Sequence, residues 1–352
     1  MPKKIVNLPF VSIVIANYNG EAYLNTCLTS VLNSYDSFSE ILIVDDGSTD
    51  RSIEIIQEFK KKDDRIFLLK NEKNMGAAAS RNNALDKIRG DIIVFLDNDT
   101  EIKKDSLEEL IKPLLNNKDV GAAQALLIDF ENRDLVQMAG GYLIPQTIWL
   151  MGFYERQEYK KVKHKLGLTN IIAISAALAV KKEVIDKIGY FDSKEAVYTE
   201  DLDFCWRIWI AGYRIVFAHQ SIVYHYTKSI IRRSNIGANK FDIYFQLAKN
   251  SFRSIIKNYE FINVIRFLPI SLFVNLARAV LVLLRRGDLS ALSATIYGIW
   301  WNCKNLFDTL QNRAEIQRTR KFSDKKILKE VFVTGNLLEI YDKNYRSSKL
   351  LW

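Results

Sequence analysis

Residues 95–100, FLDNDT, set two carboxylates, Asp97 and Asp99, two positions apart at the end of the apolar run DIIVFLDNDT. Asp and Asn are poor strand formers, so ending a strand on Asp97, Asn98 and Asp99 needs a reason. A turn is one: these side chains hydrogen-bond the local backbone, and they cap helices such as the one expected to start near Asp105. A ligand site is the other, since carboxylates bind cations and accept protons. A second acidic stretch, TEDLDFCWR (199–207), raises the same choice. Glu200 and Asp201 stand where a helix would begin, and the helix dipole favours acids there. Asp203 and Arg207, four apart, suit a surface ion pair.

The elements around FLDNDT weigh on that choice. VSIVIA (11–16) reads as a strand, and Tyr23, Leu24, Cys27, Leu28, Val31 and Leu32 then recur at helical spacing. EILIVDD (40–46) is the next strand, and GSTD offers N-caps for a helix through Ile53, Ile56 and Phe59. RIFLLK (65–70) is the third, followed by the helix GAAASRNNALDKI and the strand ending in FLDNDT. This βαβαβαβ order predicts an α/β fold, a parallel sheet with helices on both faces. Ligands of such sheets bind beyond the carboxyl ends of the strands. Asn17 and Tyr18, Asp45 and Asp46, Asn74 and Gly76, and Asp97 and Asp99 should therefore line one crevice. Turn chemistry alone does not account for four polar strand ends. No G-x-G-x-x-G follows any strand, which removes the main signature of a dinucleotide oxidoreductase.

The chain has 352 residues, 48% hydrophobic and 26% charged, enough for one large domain and an appendage. Cys27, Cys205 and Cys303 lack metal or disulfide spacing, which suits a reducing compartment; Cys27 and Cys205 fall on apolar helical faces. The N-terminal apolar run, broken by Asn7 and Pro9, reads as the approach to the first strand of a cytoplasmic domain. Charge is uneven. Residues 228–352 hold 22 basic and 9 acidic side chains, net +13, whereas residues 1–227 hold 28 and 32, net −4. No nucleic-acid-binding module accompanies the basic part, so nucleic acid is not an expected partner. Basic residues interleaved with apolar runs suit an anionic membrane surface.

VSIVIANYNG, EILIVDDGSTD, NMGAAASRNNAL, IIVFLDNDT, GYFDSKEAVYTEDLDFCWRIWIAGYRI and VYHY follow one another in an order and spacing that resembles the family 2 glycosyltransferases of GT-A type, in the rhamnosyltransferase-like branch. The resemblance spans residues 9 to about 230. It implies a GT-A fold, a Rossmann-like nucleotide-binding sheet flanked by helices, over residues 1–230; residues 231–352 carry none of its catalytic motifs and read, from their charge and hydropathy, as a helical, basic, membrane-associated region.

The resemblance makes Asp46 the nucleobase-contacting carboxylate and Asp97 a donor-nucleoside contact, and it makes Asp99 the metal-reaching acid of a D-x-D motif. A nucleotide-sugar diphosphate is an anion, so acids help to hold it only across a hard cation, Mg²⁺ or Mn²⁺. His225 matches a histidine that completes such a site; a satisfied histidine at a strand end is the plain alternative. Asn17, Tyr18, Asn74, Gly76, Arg81 and Glu200 are implied donor contacts, with Arg81 neutralising phosphate or lying on a solvated helix face. Ser175, Ala176 and Ala177 would leave room for the sugar, or simply pack. Asp201 is implied as the general base, which takes the acceptor hydroxyl proton in an inverting displacement. AHQS (218–221) replaces the family's usual proline-containing run before that histidine, which loosens the match at His225. No Q-x-x-R-W follows TEDLD, which favours transfer of a single sugar over polymerisation.

Residues 267–284, FLPISLFVNLARAVLVLL, are 18 long, the lower edge for a membrane span. Arg278, Pro269 and Asn275 make spanning marginal. Ser271, Asn275, Arg278 and Arg285 form a polar stripe, which suggests a helix lying in the interface, with 292–303 and its paired tryptophans as a second contact and the basic run 313–329 touching lipid. A buried helical subdomain is the other reading. The expected protein is thus an enzyme at the cytoplasmic face of the cell membrane, peripheral or monotopic, acting on a lipid-linked or cell-surface glycan acceptor. Two rivals are a nucleotidyltransferase, for which ANYNGEAY lacks a Gly-rich basic phosphate loop, and a non-catalytic membrane scaffold on the same fold.

Overall fold

Aliphatic and β-branched runs near the start of the chain form strands buried on both faces, because helices cover each side. The computed structural model describes residues 9–34, 40–226 and 240–332. Readings that concern residues 1–8, the boundary at 230 and the end of the chain beyond 332 lie outside the described residues. The chain runs β1 (Val11–Asn17), α1 (Leu24–Ser34), β2 (Glu40–Asp45), α2 (Ser52–Lys62), β3 (Ile66–Lys70), α3 (Ala77–Leu85), β4 (Ile92–Asp97) and β5 (Thr100–Ile102). Next come α4 (Ser106–Asn116), β6 (Val120–Asp129), β7 (Val136–Met138), β8 (Gly141–Leu143), β9 (Leu150–Gly152) and α5 (Tyr159–Val162). They are followed by β10 (Ala177–Lys181), α6 (Lys182–Ile188), α7 (Glu200–Ile210) and β11 (Arg214–His225). The helical end comprises α8 (Lys240–Asn258), α9 (Phe261–Arg286), α10 (Ser290–Lys304), α11 (Leu306–Thr319) and α12 (Asp324–Val331).

The main sheet has the order β3-β2-β1-β4-β10-β6-β11-β5, with β7 on β6. Successive side chains of β1 alternate between faces. Ile13 and Ile15 join Leu24, Cys27 and Leu28 of α1 and Leu110 of α4, whereas Val14 joins Ala78 of α3 and Trp206 of α7. β3, β2, β1 and β4 are parallel, and their register sets Asn17 opposite Asp45 and Ala16 opposite Asp97. The polar strand ends therefore share one edge, as expected.

Beyond β4 the sheet is mixed, which corrects the expectation of a parallel one. β10 runs antiparallel to β4 and β6, and β5 antiparallel to β11. The reason is local: β10 starts at the crevice, where Ala176 O accepts from Asp97 N (3.3 Å), and runs away from it. This reversal seats Ser175 directly on the site.

One expectation about charge is also corrected. Asp203 and Arg207 are buried, not on the surface. Arg207 Nε donates to Asp203 (2.9 Å), and its two Nη groups donate to the Ile188 and Tyr190 carbonyls (2.9 and 2.8 Å). Within the basic run 313–329, Arg313 donates to the Ile256 and Tyr259 carbonyls (2.5 and 2.6 Å), and Arg320 donates to Asn258 O. These arginines satisfy the C-terminal carbonyls of α8, where cations are favoured.

The polar stripe of α9 divides: its Ser271–Asn275 end faces the protein, Arg278 is half-buried and Arg285 is exposed. Ser271 and Asn275 are buried, whereas Phe273 and Leu284 are 71% and 76% exposed. The most apolar 18-residue window of α9 has a mean hydropathy of 2.1, and only 28% of it is buried. Ile296, Tyr297 and Trp300 of α10 and Phe307 of α11 are exposed as well. The paired tryptophans divide: Trp300 points outward, and Trp301 lies under the Lys249 ammonium (4.9 Å).

The buried setting of Arg207 has a measurable consequence. Arg207→Met should cost about 1 to 3 kcal/mol, because it leaves the Ile188 and Tyr190 carbonyls without their donor while Asp203 keeps Lys257 and Asn258, against about 0.3 to 0.5 for an exposed helical pair. Urea unfolding of the two proteins measures the difference.

Candidate active site

The first part of the crevice is built by amide and carboxylate side chains at the ends of β1 and β2. Asn17 is buried; it donates to Asp45 Oδ2 (2.8 Å) and accepts from Asn98 Nδ2 (2.6 Å). Gly20 packs on that link, since a Cβ there would lie 2.1 Å from Asn17 Oδ1. Asp45 also accepts from Ser48 N and Oγ (3.0 and 2.6 Å), which makes it the turn-forming acid of its pair. Asp46 instead accepts from Asn71 Nδ2 (2.7 Å), Met75 N (2.9 Å) and Gly76 N (2.8 Å), so it holds the loop before α3. Asn74, exposed on that loop, accepts from Gly76 N (3.1 Å). Gly76 has φ 89°, and a Cβ would lie 2.9 Å from Ala196 O; the close approach that needs glycine is to the loop before α7. Tyr18 stands on the rim, 38% exposed.

The second part is FLDNDT itself. β5 follows the Asp97–Asp99 turn directly, so α4 begins beyond it and takes no cap from either acid. Asp97, Asp99 and His225 bring one ligand atom each to within 4.8 Å of one another. His225 Nε2 lies 3.2 Å from Asp99 Oδ1 and 4.0 Å from Asp97 Oδ2. AHQS explains how His225 arrives. The register of β11 slips between Ala218 and Ile222, with Ser221 Oγ donating to Ser106 O (2.8 Å), and the strand resumes with His225 opposite Thr100 and Asp129. On its other side His225 Nδ1 meets Gln137 Oε1 (2.9 Å). An Nδ1–H donated to that amide leaves the Nε2 lone pair toward the acids, the arrangement common in metal-binding histidines. Two carboxylates and an imidazole so oriented could hold a divalent metal ion.

The third part joins α3 to α7. Arg81 is buried, not on a solvated face; it donates to Glu200 Oε1 (2.8 Å) and Asp97 Oδ1 (3.0 Å). Asp201 Oδ1 accepts from Leu202 N (2.8 Å), as an acid at a helix N-terminus should, and Oδ2 accepts from Ser175 N (3.1 Å) at the head of β10. Burial raises the Asp201 carboxyl above the ordinary range, opposed by Arg81. Burial and then the neighbouring Asp201 charge raise Glu200 in the same direction. Glu200 Oε2 is buried without a hydrogen-bond partner among the described residues. Asp97, Asp99, His225, Arg81, Glu200 and Asp201 thus form one connected group, with Asp46, Asn74, Gly76 and Tyr18 on the β2–β3 side. Asn98, Gln137 and the Ser175 amide carry contacts that the sequence reading did not assign. Asn98 lay in view inside FLDNDT, whereas no spacing pointed to Gln137.

Comparison with known proteins gives this geometry a family. An uncharacterized glycosyltransferase of Haemophilus influenzae is 45% identical over 112 residues, covering 32% of this chain and 45% of that protein. A putative teichuronic acid biosynthesis glycosyltransferase, TuaG of Bacillus subtilis, is 40% identical over 104 residues, covering 30% of this chain and 41% of that protein. The chain thus spans less than half the length of these two relatives. The solved structure of GalNAc-T7 with UDP, GalNAc and Mn²⁺ aligns over 97% of this chain and 59% of that one, with a TM-score of 0.63 and 16% identity. This likeness identifies the architecture as a GT-A-like α/β fold, a mixed sheet flanked by helices. The glycosyl transferase family 2 model matches residues 12–189, half of the chain, and the chain belongs to that family.

Proposed function

We propose that this protein is an inverting, metal-dependent transferase that moves one sugar from a nucleotide diphosphate to a lipid-linked or cell-surface glycan acceptor. The observation that carries the reading is the joining of Asp97, beside Asp99 and His225, to Glu200 through the buried Arg81, with Asp201 the next residue of α7. In this reading Asp46, Asn74, Gly76, Asn17 and Tyr18 form the nucleoside side, and Arg81, Asp97 and Glu200 face the donor. The orphaned Glu200 Oε2 supports a ligand hydroxyl there, because a buried unpaired acceptor is otherwise costly. Asp99 and His225, with Asp97 beside them, would hold the Mg²⁺ or Mn²⁺ that neutralises the diphosphate. Asp201 takes the proton from the acceptor hydroxyl as that oxygen bonds to C1 and the C1–diphosphate bond breaks. One in-line displacement inverts the anomeric carbon. Ser175 N holds the other face of the base carboxylate, and the small residues Ala176 and Ala177 leave space for a hexose or rhamnose. A relative named for teichuronic acid biosynthesis supports a cell-envelope polymer as the destination.

The same reading divides the chain into residues 1–230, which carry the chemistry, and residues 231–352, which bring it to the cytoplasmic face of the membrane. The outward apolar face of α9, α10 and α11, with Arg266 and Arg286 on its exposed surface, supports a helix set lying in the interface.

Three measurements test this. Asp201→Asn should bind UDP with Mn²⁺ as the parent does yet lose about 10²- to 10⁴-fold in transfer, read as nucleoside diphosphate released from UDP-, dTDP- and GDP-sugars with membrane extract as acceptor; parent-like turnover would remove Asp201 from the role. Because burial raises its carboxyl, Asp201 is protonated at higher pH than an exposed Asp (about 3.9). Activity should therefore fall as pH drops through that raised value, and Asp201→Glu should move the limb. Large apolar side chains contribute about 1.5 to 3 kcal/mol each on burial, so Phe273→Asp with Leu284→Asp should lower sedimentation with phosphatidylglycerol vesicles about tenfold or more.

A further inference from the structure

The loop between α6 and α7 aims the residues at the head of α7, and it is held from outside. Ala196 (φ 34°) and Tyr198 (φ 79°) are both in the left-handed region without being glycine, just before Glu200 and Asp201. Such backbone persists only where its surroundings over-determine it. The helix does not do so itself: Thr199, at its N-cap, makes no side-chain cap, and its Oγ1 is buried without a partner among the described residues.

The restraint comes from α8. Asn250, fully buried, donates through Nδ2 to Glu195 O (2.9 Å) and Val197 O (3.0 Å), the carbonyls on either side of Ala196. Its own Oδ1 has no partner among the described residues, so the two carbonyls dictate the orientation of the amide. One turn on, Ser254 Oγ donates to the Glu195 carboxylate (3.0 Å). Lys257 Nζ reaches Asp192 (2.5 Å), Glu195 (2.9 Å) and Asp203 (3.0 Å), and Asp203 lies in the first turn of α7. On the opposite side Ala196 O accepts from Ala78 N (3.2 Å) of α3. The loop is thus gripped between α8 and the helix that carries Arg81.

We propose that Asn250 is a positioning residue for sugar transfer: by fixing the carbonyls of Glu195 and Val197 it sets the direction of Glu200 and Asp201. The helical region is then part of the mounting of the base as well as a membrane contact. This inference rests on the reading of Asp201 as base.

The test compares Asn250→Leu with Asn302→Leu in the full-length detergent-solubilised protein. Asn302 is an equally forked buried amide, donating to Lys249 O (3.0 Å) and Gly298 O (2.9 Å), that joins α10 to α8 without touching the loop. Asn250→Leu should speed amide exchange over residues 195–203 about tenfold or more and lower kcat about 10- to 100-fold. Its dissociation constant for UDP with Mn²⁺ should stay within about twofold. Asn302→Leu should lower the melting temperature comparably while leaving loop exchange and kcat as in the parent. Where Asn250→Leu does not accumulate as folded protein, Asn250→Ala replaces it. Unchanged loop exchange in the Asn250 variant, or a loss of kcat in both variants in step with their melting temperatures, overturns the proposal. If Asp201→Asn is inactive while the Asn250 variant turns over normally, only the positioning claim falls. A fully active Asp201→Asn removes the base assignment itself.

Discussion

The guanidinium of Arg81 lies between Asp97 at the end of β4 and Glu200 at the head of α7, and it brings three elements to one point. Without a cation there, Asp97, Glu200 and Asp201 would be like charges with little water to separate them, and a buried carboxylate without a partner is costly. The pairing leaves each acid one side for other use. Asp97 turns Oδ2 toward His225, and Glu200 Oε2 has no partner among the described residues. Asp201, which Arg81 does not touch by a hydrogen bond, stays raised by burial. The same arginine thus permits a concentration of acid and divides it into the Asp97 end beside Asp99 and His225 and the Glu200–Asp201 end at the head of α7.

Much of this was legible in the sequence because it lies in contiguous, strongly patterned segments. β1 to β4 follow from alternating apolar runs and helical spacings, and Asp46, Asp97 and Asp99 fall where parallel strands must end. Contacts between distant segments were not legible. Nothing local in LAVKKEV says that β10 reverses between β4 and β6, since that depends on where the chain re-enters the sheet. Asp203 and Arg207 have the spacing of a surface pair, and only the carbonyls of Ile188 and Tyr190, together with α8, make them interior. Gln137 had no signal, because its role exists only once β7 lies beside the end of β11.

The helical end shows the same division. Its apolar length and its polar stripe could be read directly, but a stripe does not say which side faces water. In the structure Ser271 and Asn275 turn inward beside Phe267, Ala279 and Val282, while Ile265, Phe273, Val280, Leu281 and Leu284 turn outward, unlike an ordinary soluble helix. Such a face is consistent with a lipid neighbour. On the other side of the same region, α8 touches the loop before Asp201. The outward apolar face and the head of α7 are therefore both tied to the same helical region.

The central claim is that this edge of the sheet takes a nucleoside diphosphate together with a divalent ion. Thermal unfolding of the detergent-solubilised protein with UDP, dTDP and GDP, each with and without Mn²⁺, tests it most directly. A nucleotide at 100 times its dissociation constant should stabilise the fold by ~2.7 kcal/mol. One nucleotide should give such a shift with Mn²⁺, and Asp99→Asn should abolish it. An equal shift without metal, or no shift with any of the three, would contradict it.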